Sequence, residues 1–165
     1  MMSKQIEDPL LALAARLGAV ALARGAMIAT AESCTGGLVA GAITAVAGSS
    51  AWFERGFVTY SNLAKEQQLG VAVSTIERFG AVSEDTAKAM AQGALRGAAA
   101  QWAVAVTGIA GPDGGSPDKP VGTVWFAWAG PDLLETLRRQ FDGDRTAVRE
   151  ASVRVALEGL VDRLA

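Results

Sequence analysis

Histidine is absent from the 165 residues. That absence excludes Ser-His-Asp and Cys-His hydrolases and every histidine-ligated metal site. Cysteine occurs once, as Cys34, so no internal disulfide and no thiolate cluster can form. A small buried thiol in a reducing cytoplasm is the expectation, and structural zinc is not. Charge is sparse and balanced: 19% of the residues are charged and the net charge is −2. This offers no electrostatic footprint for a phosphate backbone, and no nucleic-acid partner is expected. Strongly apolar runs are missing as well. The longest uncharged stretch, Ser33 to Phe53, is diluted by Gly, Ser and Thr and is too weakly apolar to sit alone in lipid. The first ten residues carry acidic side chains and no apolar core of an export signal. The expectations are therefore no membrane partner and a cytoplasmic location. If the chain is a hydrolase, its base must be Lys, Asp or Glu.

What is present suits a globular protein. Half the residues are hydrophobic, and the length is that of one domain spanning 1–165. Asp8 as N-cap, Pro9 at the first helical position and Gly25 beyond the end frame a helix to Arg24. Met27–Ala31 reads as a strand, Leu38–Val46 as a helix and Gly56–Tyr60 as a second strand. A helix then starts near Ser61 or Asn62 and stops at Gly70. Ser74–Phe79 reads as a helical turn closed by Gly80, and Ser83 opens a helix ending near Gly97. Trp102–Val106 has the continuous apolar character of a buried strand. It feeds a Gly- and Pro-rich loop, Thr107–Gly122. Thr123–Trp128 and Leu133–Phe141 read as two strands, although Arg138 and Arg139 leave a helix open for the second. Arg145–Leu164 is a final helix. Helices alternating with short apolar strands predict an α/β layered sheet, helices on both faces, with an antiparallel strand late in the order.

In such sheets ligands bind outside the carboxyl ends of the strands. Three exits qualify here: Glu32–Gly37, Tyr60–Lys65 and Thr107–Gly122. Ser33 stands at a strand-to-helix corner before Thr35-Gly36-Gly37, which is nucleophile geometry beside amide donors; the plain alternative is a helix cap. Of four lysines, only Lys65 falls in a strand exit rich in hydrogen-bonding residues, Tyr60-Ser61-Asn62. A dry site would lower its pKa enough for it to act as a base, and the plain alternative is a solvated lysine beside Glu66. Ser61 and Lys65, at i and i+4, form a second pair. Ser116-Pro-Asp-Lys119 formally matches S-x-x-K but lies in a loop, where that motif lacks its helix. The glycine-dense Thr107–Gly115 matches neither a Walker A nor a Rossmann fingerprint. Arg145 is placed to fork onto a phosphate or to pair with Asp142 or Asp144.

Taken together, Thr30-Ala-Glu-Ser-Cys-Thr-Gly-Gly37, Gly48-Ser-Ser-Ala-Trp-Phe-Glu-Arg-Gly-Phe-Val-Thr-Tyr-Ser-Asn62 with Lys65, Gly80-Ala-Val-Ser83, Thr107-Gly-Ile-Ala-Gly-Pro-Asp-Gly-Gly115 and Lys119-Pro-Val-Gly-Thr123 resemble the CinA C-terminal domain family in its stand-alone amidohydrolase form. The likeness runs from about Leu10 onward. It implies a three-layer α/β/α fold with a mixed, mostly parallel sheet. It also implies hydrolysis of the carboxamide of nicotinamide mononucleotide to nicotinate mononucleotide and ammonia, no cofactor or metal, and a homodimer or larger homo-oligomer. The motifs belong to the C-terminal domain only, so the pyrophosphatase activity of the fused form is not expected.

The family's serine nucleophile falls on Ser33 and its lysine base on Lys65, with Tyr60 supporting the dyad. Ser50, Asn62, Thr107, Gly108 and Arg145 would hold the substrate. Amides near Gly36-Gly37 or at Thr107-Gly108 would hold the oxyanion. The competing expectations are a catalytically silent nucleotide-binding module and an amidase for another small substrate.

Overall fold

The computed structural model describes residues 8–165; the stretch 1–7, which holds Lys4 and most of the segment read for an export signal, lies outside the described residues. In chain order the elements are α1 (Pro9–Arg24), β1 (Ile28–Glu32), α2 (Leu38–Thr44), β2 (Phe53–Val58), α3 (Asn62–Leu69), α4 (Val73–Phe79), α5 (Glu84–Gly97), β3 (Trp102–Gly108), β4 (Thr123–Gly130), β5 (Leu133–Gln140) and α6 (Arg145–Leu164). Side-chain caps set the helix starts. Asp8 accepts from the Leu10 amide, Ser61 from Ala64, Ser83 from Thr86 and Asp144 from Ala147, each satisfying an amide that has no partner within its helix.

The five strands lie in the order β2-β1-β3-β4-β5. β1 pairs in parallel with both β2 and β3, and β4 pairs antiparallel with both β3 and β5. Only β4 therefore runs against the other four, the late antiparallel strand expected above. The two faces differ in size. On one, Ile28, Val104, Val106, Phe126 and Trp128 pack against α1, α2 and α6. On the other, Ala29, Ala31, Ala103, Ala105, Ala127 and Ala129 meet Ala87, Met90, Ala91 and Ala94 of α5. The alternation of large and small residues along β3, Trp-Ala-Val-Ala-Val, follows from the period-2 geometry of a strand.

β1 is shifted by one residue from the expected bounds and β3 and β4 each run two residues further, while β2 departs most. β2 begins at Phe53, three residues before Gly56, and ends at Val58 before Tyr60. It is an edge strand, half-buried at best, so Glu54 and Arg55 sit outward without cost and mask the pattern. A 3-10 turn at Ser49–Ala51 leads into it. Leu133–Gln140 is a strand despite Arg138 and Arg139, because β5 is the opposite edge and its outer positions are solvated.

The fit of α6 onto the sheet depends on Gly159, whose Cα faces the Trp128 indole so closely that any added Cβ would overlap the ring. Trp128 Nε1 donates to Ala156 O at 3.1 Å on the same helix. Gly159→Ala is expected to destabilise the protein by about 1–3 kcal/mol through overpacking. Gly41→Ala, on an open face of α2 with nothing within 4 Å, is expected to stabilise it by up to about 1 kcal/mol. Thermal unfolding midpoints moving in opposite directions check both.

Candidate active site

The three parallel strands end together, and their exits build the site. β1 finishes at Glu32, whose side chain turns back onto α2: its two carboxylate oxygens accept from the Val39 amide at 2.8 Å and the Ala40 amide at 3.1 Å. α2 has only Gly37 at its N-cap position, with no side-chain cap of its own. Glu32, 1% exposed, does that work from the preceding strand and occupies the positive end of the helix. Ser33 is thereby released from capping. Its amide donates to Val106 O at 2.9 Å, which extends the β1–β3 pairing by one residue and fixes the corner from which its hydroxyl projects.

Lys65 comes from the second turn of α3 and is 1% exposed. Its Nζ lies 2.9 Å from Ser33 Oγ, donates to Thr59 O at 2.9 Å and reaches Tyr60 O at 3.5 Å. The strand exit that presents these carbonyls is tied to β1, since the Thr59 amide donates to Glu32 O at 2.7 Å. Among the described residues no carboxylate forms an ion pair with Lys65. Burial without a counter-charge strips the ammonium of hydration and lowers its pKa from 10.5 to about 8. A neutral amine has two N–H donors and one lone pair. Thr59 O and Tyr60 O suit the donors, and Ser33 O–H suits the lone pair. Burial has the opposite effect on the neighbouring thiol: Cys34 is pushed up to about 12, so it stays protonated and is no nucleophile.

Ser33 and Lys65 open onto a cavity of about 310 Å³ that Tyr60, Asn62, Thr107, Gly108 and Arg145 also line. Thr107 Oγ1 donates to Ala81 O at 2.8 Å, so its hydroxyl braces the wall. Arg145 donates Nη1 to Gly111 O at 2.8 Å and Nη2 to the Tyr60 phenol oxygen at 3.0 Å. It pairs with neither Asp142 nor Asp144. The Tyr60 phenol is largely exposed at the mouth and touches Arg145 rather than the Ser33–Lys65 pair. Asp113 and Gly114 complete the rim on the glycine loop.

Three expected residues lie elsewhere. The Gly36 amide donates to Ser33 O at 3.0 Å, so it cannot also serve an oxyanion. Gly37 faces a separate, more apolar cleft of about 440 Å³ between α1, α2 and α6, where no nucleophile and base meet. Ser50 is exposed on the 3-10 turn before β2. The motif that contains Ser50 and Tyr60 spans the whole of β2, and six extended residues separate its ends by about 20 Å. Ser50 is thus at the far end of the sheet. The rival pairs dissolve too: Ser61 Oγ is used as the α3 cap, and Lys119 Nζ donates to Phe79 O.

One residue escaped the sequence reading. Arg149, one turn after Arg145 on α6, donates Nε to Cys34 O at 3.1 Å and Nη2 to Thr35 O at 3.3 Å. Its i+4 spacing from Arg145 was the available signal. Among the described residues no cluster of three or more acidic or cysteine side chains is placed to hold a metal ion. No described helix is long and apolar enough to cross a membrane.

Comparison with known proteins finds relatives along nearly the whole chain. The model of the CinA C-terminal domain matches residues 10–164. A Pseudomonas putida protein named nicotinamide-nucleotide amidohydrolase PncC is 56% identical over 154 residues, covering 93% of this chain and 96% of that protein. The protein of the same name from Escherichia coli K12 is 56% identical over 155 residues, 93% and 94% of the two chains. Among solved structures, the competence/damage inducible protein CihA from Agrobacterium tumefaciens superposes with a TM-score of 0.90 at 52% identity, covering 93% of this chain and 94% of that one.

Proposed function

The chain belongs to the CinA C-terminal domain family, and from that premise we propose that it is a nicotinamide-nucleotide amidohydrolase that converts nicotinamide mononucleotide to nicotinate mononucleotide and ammonia through a Ser33–Lys65 dyad. The observation that carries the reading is the 2.9 Å approach of a buried amine, with a pKa lowered to about 8, to the hydroxyl at the exit of β1. The names of relatives at 56% identity support the substrate class.

In the first half-reaction neutral Lys65 Nζ takes the Ser33 Oγ proton as Oγ bonds to the carboxamide carbon. The tetrahedral oxyanion collapses, the C–N bond breaks, and the leaving nitrogen departs as ammonia with the proton that Lys65 held. In the second, Lys65 removes a proton from water, the resulting hydroxide attacks the acyl carbon, and Ser33 regains its proton as nicotinate mononucleotide leaves. The oxyanion donor is the Cys34 amide. It follows the nucleophile directly, lines the cavity and donates to no oxygen among the described residues.

The phosphate has one well-charged place to go. The α2 N-terminus is filled by Glu32, which leaves Arg145 and the glycine loop at the mouth. Ammonia release from nicotinamide mononucleotide and from its riboside tests the assignment. The riboside is expected to show kcat/KM lower by about tenfold to a hundredfold, the worth of one charge-assisted hydrogen bond. No ammonia from the nucleotide overturns the activity, and equal rates on the two compounds overturn the phosphate-reading site.

A further inference from the structure

The geometry points to Arg149 as a positioning residue: by holding the two carbonyls that follow the nucleophile, it fixes the turn from which the Cys34 amide faces the charge that develops on the substrate. The inference rests on Ser33 being the nucleophile, as proposed above.

The turn after Ser33 has three successive carbonyls, and each is fixed. Ser33 O accepts from the Gly36 amide at 3.0 Å and Thr35 O from the Leu38 amide at 3.0 Å. Cys34 O is held by no backbone donor; its partner is Arg149 Nε at 3.1 Å, and the same guanidinium adds Nη2 on Thr35 O at 3.3 Å. A trans peptide points its N–H opposite to its C=O. Holding Ser33 O therefore directs the Cys34 amide, and holding Cys34 O fixes the peptide that follows, so Cys34 is pinned on both sides. The Cys34 amide lines the cavity and donates to no oxygen among the described residues, the state expected of a donor kept for a ligand. Thr35 is followed by Gly36 at φ 58 and Gly37 at φ 106, which are free to swing in other conformations. Without Arg149 the Cys34–Thr35 peptide has nothing else to set its orientation.

The guanidinium is suited to this in a way an ammonium is not, because a planar fork spans two adjacent carbonyls. It is also firmly mounted. Val148, Ser152 and Val153 of α6 are buried against the sheet. Four residues earlier, Arg145 holds Gly111 O on the opposite wall. One helix thus braces both sides of the cavity. Arg149 does not line that cavity, so it acts through the turn and not on the substrate.

Two readouts on Arg149→Ala and Arg149→Lys test this, one independent of any nucleotide. The first is the rate at which a fluorophosphonate labels Ser33. The second is kcat and KM for ammonia release from nicotinamide mononucleotide. Arg149→Ala is expected to lose about 10²-fold in both labelling rate and kcat, the typical worth of an oxyanion donor, with KM within about threefold. Its pH profile should keep the wild-type midpoint, because Lys65 is untouched. Arg149→Lys should recover only a small part. Added guanidinium ion at a concentration too low to unfold the protein should restore labelling of Arg149→Ala severalfold and leave Lys65→Ala unaffected. Wild-type labelling in Arg149→Ala, or a labelling loss that guanidinium does not relieve, overturns the inference. A loss confined to KM also overturns it, by making Arg149 a substrate contact. The substrate assignment fails separately, as labelling of the wild type without ammonia release.

Discussion

Ser33→Ala is expected to lower kcat for ammonia release from nicotinamide mononucleotide by on the order of 10⁴-fold or more, while the thermal unfolding midpoint stays close to wild type. The size of the effect follows from the lack of any substitute. Cys34 is adjacent, but its thiol is pushed up to about 12 by burial and stays protonated at working pH. Ser61 is committed to the α3 cap, and Thr107 donates to Ala81 O. The small effect on stability follows from what Ser33 does not do. Glu32 caps α2 and the Ser33 backbone pairs with β3, so the hydroxyl supports no element of the fold. A steady-state assay beside a melting curve separates the two. A variant that retains activity within tenfold of wild type removes Ser33 from the chemistry.

The helix ends were legible in the sequence because they are decided within a few residues. Asp8 and Pro9 open α1, Gly25 closes it at φ 60, and Ser61 and Gly70 do the same for α3. Each is a contact between a side chain or amide and a backbone group two to five positions away. The edge strands were less legible. A strand declares itself by alternating burial, and β2 and β5 each leave much of their surface in solvent, so Glu54-Arg55 and Arg138-Arg139 interrupt the pattern without interrupting the strand. Pairing supplies what the pattern lacks: Ile28 matches Phe53 across β1 and β2.

The site divides the same way. Ser33 and Lys65 stood out as a hydroxyl before Gly-Gly and a lone lysine at a strand exit. Their contact spans 32 positions and exists only because parallel pairing of β1 and β2 brings two strand exits together. The backbone's own part was visible only as a corner rich in amides, not as particular donors. Arg149 works on carbonyls, and the Gly36 amide is spent on Ser33 O; main-chain groups are the same at every position, so no residue type marks them in advance. Glu32 is the most instructive case. Its place in Ala-Glu-Ser-Cys gives no hint that it caps the next helix, yet its carboxylate fills the α2 N-terminus, and on that ground Arg145 is proposed as the seat of the phosphate.

Lys65→Arg and Lys65→Ala are both expected to lower kcat by about 10³-fold, within the usual worth of a general base. Equality between them is the diagnostic. A guanidinium stays protonated at any working pH, so arginine keeps the charge and length while losing the lone pair. The wild-type pH profile carries the same logic. The active form is the neutral amine, so with a pKa of about 8 kcat/KM should climb roughly tenfold per pH unit below that value and level off above it.

Stability should move with pH in the same direction. The unfolded chain holds the Lys65 proton up to its ordinary 10.5 and the folded chain only to about 8. Between those values the unfolded state binds more protons, and folding stability rises as pH rises. Below about 8 the full penalty applies, on the order of 3 kcal/mol for an ammonium 1% exposed and without a counter-charge. Lys65→Met removes that penalty and is expected to be the more stable protein at pH 7 and an inactive one. A flat profile through pH 8, with Lys65→Arg still active, would mean that the residue serves as a cation that binds the substrate, and the burial that lowers its pKa would then need another reason.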